Sequence, residues 1–297
     1  MSIITVYNMT KDYGNGRGVY NLSFEVKEGE VFGFLGPNGS GKTTTIRQLV
    51  GFTKADSGYS KIFNLDCFRN REIIQKELGY LAGEISFIDD MNGNDFLKFV
   101  SKMKNIKDNK KINELLELYQ LDANKKIKSM SKGMKQKIAI ICAFMNSPKV
   151  VILDEPTSGL DPLMQKVFIE HILSEKEKGT TIFISSHIFE EIEKTCDRAA
   201  ILKDGKLIAI ENINELKTKK SKIFNIYFKS QNSADIFYNK IINEYNIKAE
   251  KYNSNIKVYI TNDINILIKE LSNYDIENIV SAEQSLEELF LDFYSKS

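Results

Sequence analysis

The chain has 297 residues, 42% hydrophobic and 27% charged, which is apolar material for one large or two modest globular domains and excludes a disordered chain or a fibre. Its 41 basic and 40 acidic side chains leave a formal net charge of +1, so charge alone implies no pull toward nucleic acid or acidic lipid. Cys67, Cys142 and Cys196 are far apart and lack histidines at metal spacing, which argues against a disulfide framework or a zinc site and for a reducing compartment. The N-terminus does not read as a signal peptide, and no run approaches the roughly 20 apolar residues that span a bilayer.

From residue 1 to about 60, short β-type runs (IITVY, NLSFEV, EVFGFLG) are followed by a Gly-rich loop and a helix-compatible stretch, TTIRQLVGF. Between about 84 and 145 the pattern becomes helical, with NDFLKFVSKM and INELLELYQL carrying apolar residues three and four apart. Two apolar runs, VVILDEP and TIFISSH, are separated by a helical stretch after Asp161-Pro162, as in β-α-β units around a parallel sheet.

This rhythm ends near residue 212, and the Lys-rich stretch at 216 to 222 reads as a linker into a second module, 217 to 297. There Phe224, Ile226 and Phe228, then Ile256, Val258 and Ile260, alternate as in half-buried strands. Ile264, Leu267, Ile268 and Leu271 follow a helical stripe, as do Leu286, Leu289, Phe290 and Phe293 behind a capping box of Ser285 and Glu288. A small α+β domain of βαββαβα order is expected.

The strongest chemical signal is Gly36-Pro37-Asn38-Gly39-Ser40-Gly41-Lys42-Thr43, a GxxxxGK[ST] match directly after an apolar strand, with Thr44 next to it as a further candidate for binding the nucleotide. The glycines let backbone N–H groups face phosphate oxygens, the helix offers its positive end, Lys42 reaches the β- and γ-phosphates of ATP, and Thr43 supplies a hydroxyl for Mg²⁺. Asp154 and Glu155 follow 112 residues after Lys42, at the end of four apolar residues. Asp154 can hold the metal through water, and Glu155 is placed to orient or deprotonate an attacking water. A bland alternative makes the pair an acidic cap for the next helix.

With these motifs in order, the chain resembles the ATP-binding cassette (ABC) ATPases over roughly residues 1 to 210. Met130-Ser131-Lys132-Gly133-Met134-Lys135-Gln136-Lys137 is similar to the family's signature segment, Ser158-Gly159-Leu160-Asp161 to its D-loop, His187 to its switch histidine, and Tyr13 to the aromatic that stacks on adenine. The resemblance implies a phosphate-loop α/β fold with a mixed, largely parallel sheet, an N-terminal antiparallel β subdomain and a helical subdomain. It also implies that Ser131 and Gly133 serve the ATP of a second cassette, that Asp161 of the D-loop contributes to nucleotide binding, and that His187 senses the γ-phosphate. His171 lacks such company and reads as a surface or packing residue.

Two positions depart from the family. Its loop Gln would fall at Gly83, followed by Glu84, and whether Glu84 takes the role is left open; Lys132 stands where Gly is commoner. Both resemble cassettes of ABC-2-type exporters. The expectation is an ATP-hydrolysing subunit of a membrane exporter for drug, antibiotic, peptide or lipid cargo. It would work as a cassette dimer with a separately encoded transmembrane permease at the cytoplasmic face of the membrane, with no nucleic acid involved. The alternatives are a soluble ABC ATPase acting on ribosomes or nucleic acid, and a nucleotide-switched regulatory module. The C-terminal module is expected to hold the two cassettes together or regulate them, the bland alternative being a stabilising appendage.

Overall fold

Alternating burial organises the first strands. In β2 (Gly18–Lys27), Leu22, Phe24 and Val26 are buried while Ser23, Glu25 and Lys27 are exposed, and β1 (Ser2–Asp12) pairs with it antiparallel. β3 (Val31–Leu35) is buried along its whole length, which marks a strand covered on both faces. It leads through residues 36 to 41 into α1 (Lys42–Leu49), which ends before the predicted stretch does, because Gly51 takes φ 75°. β4 (Ser57–Ile62) and β5 (Leu65–Asp66) complete a four-stranded antiparallel sheet in the order β2-β1-β4-β5.

The structure, a computed structural model, describes residues 1–218, 222–260, 264–283, 285 and 287–288. After α2 (Arg71–Glu77) and β6 (Leu78–Leu81) come two helices with one buried stripe each, α3 (Gly93–Met103), capped by the Asn92 side chain, and α4 (Lys110–Leu118). α5 (Lys132–Phe144), β7 (Val150–Asp154), α6 (Pro162–Glu177), β8 (Thr181–Ser186), α7 (Phe189–Thr195), β9 (Arg198–Lys203) and β10 (Lys206–Asn212) follow. The second sheet runs β10-β9-β3-β8-β7-β6, parallel except for β10.

The two sheets share one core. Phe24 lies against Phe32, Phe34 and Phe183 with ring centroids 5.4 to 6.1 Å apart, and Ile4, Val6 and Met9 complete it. Each such side chain contributes about 1.5–3 kcal/mol on burial. Because β3, β8 and β7 are neighbours, the segments leaving their carboxyl ends meet, and in open α/β sheets that edge is where ligands bind.

Two compact units are delimited, Met1–Ile213 and Asn214–Ser297. The stretch read as a linker begins as a helix, α8 (Ile213–Thr218), because Ile213 and Leu216 are buried despite the lysines around them. In the second unit β11 (Lys222–Phe228), α9 (Gln231–Asn243), β12 (Ala249–Tyr252), β13 (Asn255–Ile260), α10 (Ile264–Leu271) and β14 (Ile276–Glu283) form an antiparallel sheet in the order β12-β13-β11-β14. Phe224, Ile226, Phe228, Ile256, Val258 and Ile260 form its core with Phe237 and Leu267. Ile268, predicted in the buried stripe, is instead exposed, since α10 packs on one narrow face through Leu267 and Leu271. Glu288 N–H donates to Ser285 Oγ at 3.1 Å and Ser285 N–H to Glu288 Oε2 at 3.2 Å, the reciprocal pairing of a capping box. Leu286, Leu289, Phe290 and Phe293 lie outside the described residues.

Candidate functional site

The loop between β3 and α1 is shaped by close approach. Gly41 takes φ 103°, and a Cβ there would lie 2.5 Å from Val19 Cγ1, so backbone conformation and space both demand glycine. The N–H groups of the first turn of α1 have no intrahelical acceptor and face the loop, where the helix end favours anions. Lys42 is buried and folds back, its Nζ donating to the carbonyls of Gly36 at 2.8 Å and Pro37 at 3.2 Å.

β7 delivers the acidic pair. Asp154 is fully buried, and its carboxylate accepts hydrogen bonds from Thr43 Oγ1 at 2.8 Å and from Ser185 Oγ of β8. Glu155, half-buried, has φ 49°, a left-handed conformation that is strained for a residue with a Cβ. Its N–H is tied to Ser185 O at 3.1 Å and Ser185 Oγ at 3.2 Å, which stabilise the turn that aims its side chain. Glu155 Oε1 lies 3.4 Å from Lys42 Nζ and 3.3 Å from His187 Nδ1. The pair is thus no helix cap; Asp161 caps α6, accepting from Met164 N–H at 3.0 Å.

A cleft of about 440 Å³ opens beside these groups, with Tyr13 at one wall and Asn38, Gly39, Thr43, Thr44 and Glu155 among its lining. Tyr13 is half exposed, with Lys11 Nζ over its ring at 5.6 Å from the centroid. Thr43 and Asp154 offer hard oxygen donors to a cation at the phosphate loop, as Mg²⁺ requires. Gly83 lies against the same place: a Cβ there would stand 3.1 Å from Asp154 Oδ2, while Glu84 is exposed.

Ser131, Gly133 and Asp161 are not among the residues that line that cleft, and Ser131 and Gly133 belong to a second cluster on the same unit. Ser131 caps α5 by accepting from Met134 N–H at 3.2 Å. A Cβ on Gly133 would meet Gly159 O at 2.7 Å, and the stem of Lys132 lies over Gly159 while its Nζ donates to Ser158 Oγ at 2.9 Å. Gln136 Nε2 donates to Pro156 O at 2.7 Å inside the protein. The start of α5 and the segment after Glu155 are therefore one packed body.

The pattern of the ABC transporter family matches residues 19–158. Across 300 aligned residues the chain is 35% identical to the bacitracin transport ATP-binding protein BcrA of Bacillus licheniformis, covering 98% of this chain and 96% of that protein. The chain belongs to the ABC transporter ATP-binding family. The uncharacterised ABC transporter ATP-binding protein YhcH of Bacillus subtilis is 32% identical, with 98% and 95% covered. Among solved structures, an ATP-binding subunit of an ABC transporter superposes with a TM-score of 0.67 at 26% identity, covering 73% of this chain and 92% of that one.

Two further residues build the site of this ABC cassette. Ser185 joins Asp154 to the Glu155 backbone, and Arg17 lines the cleft from the β1–β2 turn. Neither carries a local signal: the first of two serines in TIFISSH and one arginine in GNGRG match no pattern. His171 is a packing residue, buried with Nδ1 2.8 Å from the Tyr119 hydroxyl and its ring against Phe144.

Proposed function

We propose that the chain hydrolyses ATP at the cleft beside Lys42 and couples this to export through a separately encoded transmembrane permease. The observation that carries the reading is the convergence of Lys42, Glu155 and His187 beside the Thr43–Asp154 pair, at the carboxyl ends of three adjacent strands.

The loop 36–44 holds the phosphates through its N–H groups and Lys42, and Tyr13 stacks on the adenine. Glu155 orients a water and takes its proton as the water oxygen bonds the γ-phosphorus and the bond to the ADP oxygen breaks. Lys42 and His187 offset negative charge on the transferred phosphoryl group. Thr43 and Asp154 would hold Mg²⁺, which when bound would supply further charge neutralisation.

Ser131 and Gly133 lie beside Gly159 in a cluster apart from this cleft, which supports a head-to-tail cassette dimer in which each chain's signature helix start serves the other's ATP. No described helix is long and apolar enough to cross a membrane, so the passage itself is assigned to the permease and the cassette to its cytoplasmic face. The relative matched over the whole chain is named for bacitracin transport, which makes bacitracin the cargo to test first. The unit 214–297 is assigned a role in holding or regulating the dimer; unchanged dimerisation and ATPase after its deletion would remove that assignment.

The test is a pull-down of tagged Glu155→Gln chain, trapped with ATP, from solubilised native membranes. Recovery of a multi-helix membrane protein whose addition raises the wild-type ATPase rate supports the reading. An active ATPase that recovers only soluble partners overturns the transport assignment.

A further inference from the structure

We infer that Glu191 is a positioning residue for His187, binding the loop that carries the histidine and facing the segment that leaves Glu155; this rests on the ATPase reading above.

His187 has a side chain that is 48% exposed, so packing does not fix its ring, and the 3.3 Å approach to Glu155 has to come from its backbone. Both neighbours of His187 are bound to one network. Ile188 N–H donates to Ser186 Oγ at 2.9 Å, and Ser186 Oγ donates to Glu191 Oε2 at 2.6 Å. Ile188 is the N-cap of α7 and its side chain supplies no cap, while Glu191 is the third helical residue. In a capping box that third residue reaches the N-cap amide directly; here the Ser186 hydroxyl relays the contact, and the relay encloses position 187.

The other side of the carboxyl looks toward the segment between Glu155 and Asp161. The Thr157 hydroxyl faces it, yet Oε1 is buried without a full hydrogen bond. Glu191 itself is 4% exposed. Burial pushes its pKa up to about 7, against the lowering by Ser186 and Thr157 and with the Glu155 charge adding to the rise. A group so buried tolerates an uncharged replacement of the same shape. It does not tolerate loss of the acceptor that holds Ser186.

Three variants test this by two readouts. In steady-state ATPase, Glu191→Ala is expected to lower kcat about tenfold or more, with KM for ATP within about twofold, because the nucleotide cleft is untouched. Glu191→Gln keeps an acceptor for Ser186 and is expected to restore most of the rate, while Glu191→Asp, one methylene short, behaves like the alanine variant. The second readout uses the chain's two histidines, His171 and His187. With labelled histidine, the imidazole signals of His187 shift in the alanine variant and those of buried His171 stay in place. If the alanine variant does not fold, the aspartate and glutamine variants carry the same comparison.

Wild-type turnover in the alanine and aspartate variants, or equal loss in all three, overturns the inference. Movement of both histidines together also overturns it, since that reports a general loosening. A wild-type chain that binds but never hydrolyses ATP, with permease supplied, defeats the ATPase reading itself; an active wild type with an equally active alanine variant defeats only the role of Glu191.

Discussion

Lys42 Nζ and Glu155 Oε1 stand 3.4 Å apart, a buried ammonium facing a half-buried carboxylate across the space between the phosphate loop and the end of β7. His187 Nδ1 approaches the same oxygen at 3.3 Å. Glu155→Gln keeps the size of the side chain and its ability to hydrogen-bond, but removes the proton acceptor. Turnover should fall roughly 100-fold or more while nucleotide affinity is retained. Steady-state ATPase and titration with a fluorescent ATP analogue separate the two quantities, and a variant that still turns over at the wild-type rate would remove Glu155 from the chemistry.

Asp154 accepts from Thr43 and Ser185, and so has one donor on each side. Asp154→Asn removes the charge that attracts the cation. The Mg²⁺ concentration for half-maximal ATPase should rise by about tenfold. Ser185→Ala leaves the charge but deletes a buried donor and a contact to the Glu155 backbone. Its expected signature is about 1–3 kcal/mol of lost stability, seen as a lower urea midpoint, with the Mg²⁺ requirement changing little.

Lys132, unusual for its position, packs its stem over Gly159. Gly159 has φ 82°, and a Cβ there would lie 2.9 Å from Lys132 Cγ. Gly159→Ala therefore meets both backbone strain and a collision, together about 1–3 kcal/mol of destabilisation. Removing the stem in a Lys132→Ala, Gly159→Ala double variant should recover the collision part and leave the backbone part, so the two losses will not add. Additive losses in urea unfolding would mean that the lysine stem does not rest there.

The parts of this site that were legible in the sequence are those encoded by local pattern. An apolar strand, glycines at fixed offsets and a lysine specify the loop at 36–44, and four apolar residues before Asp154 and Glu155 specify a buried strand end. Glu191 was not legible because FEEIEKT shows adjacent glutamates on a helix too short for a clear period. Its burial arises from the packing of α7 against β8 and α6, which no local spacing reports. The same limit explains α8: lysines at 217 and beyond suggested a linker, but burial of Ile213 and Leu216 decides the conformation. It also explains Ile268, which fits the helical period and faces solvent because α10 has one narrow covered face.

His171 and Glu175 make acid stability readable far from the cleft. Burial lowers the His171 pKa below its ordinary 6.5, with Glu175 raising it only in part. For a base with a depressed native pKa, the unfolded chain binds the proton first, so stability is fully present above about 6.5 and declines as pH falls below it. Burial alone would raise the Glu175 carboxyl, but His171, Lys111 and Lys178 outweigh it and hold the group well below the usual carboxylate range. Its contribution is fully present above about 4.5 and is lost only as pH falls further, toward the depressed native value. Two windows result, one opening just below neutrality and one below 4.5. His171→Gln can still bond the Tyr119 hydroxyl but does not titrate. Thermal melts from pH 7.5 to 5.5 should therefore decline less in the variant than in the wild type, while both lose stability below 4.5. A variant that follows the wild type through the upper window would show that another group carries that proton.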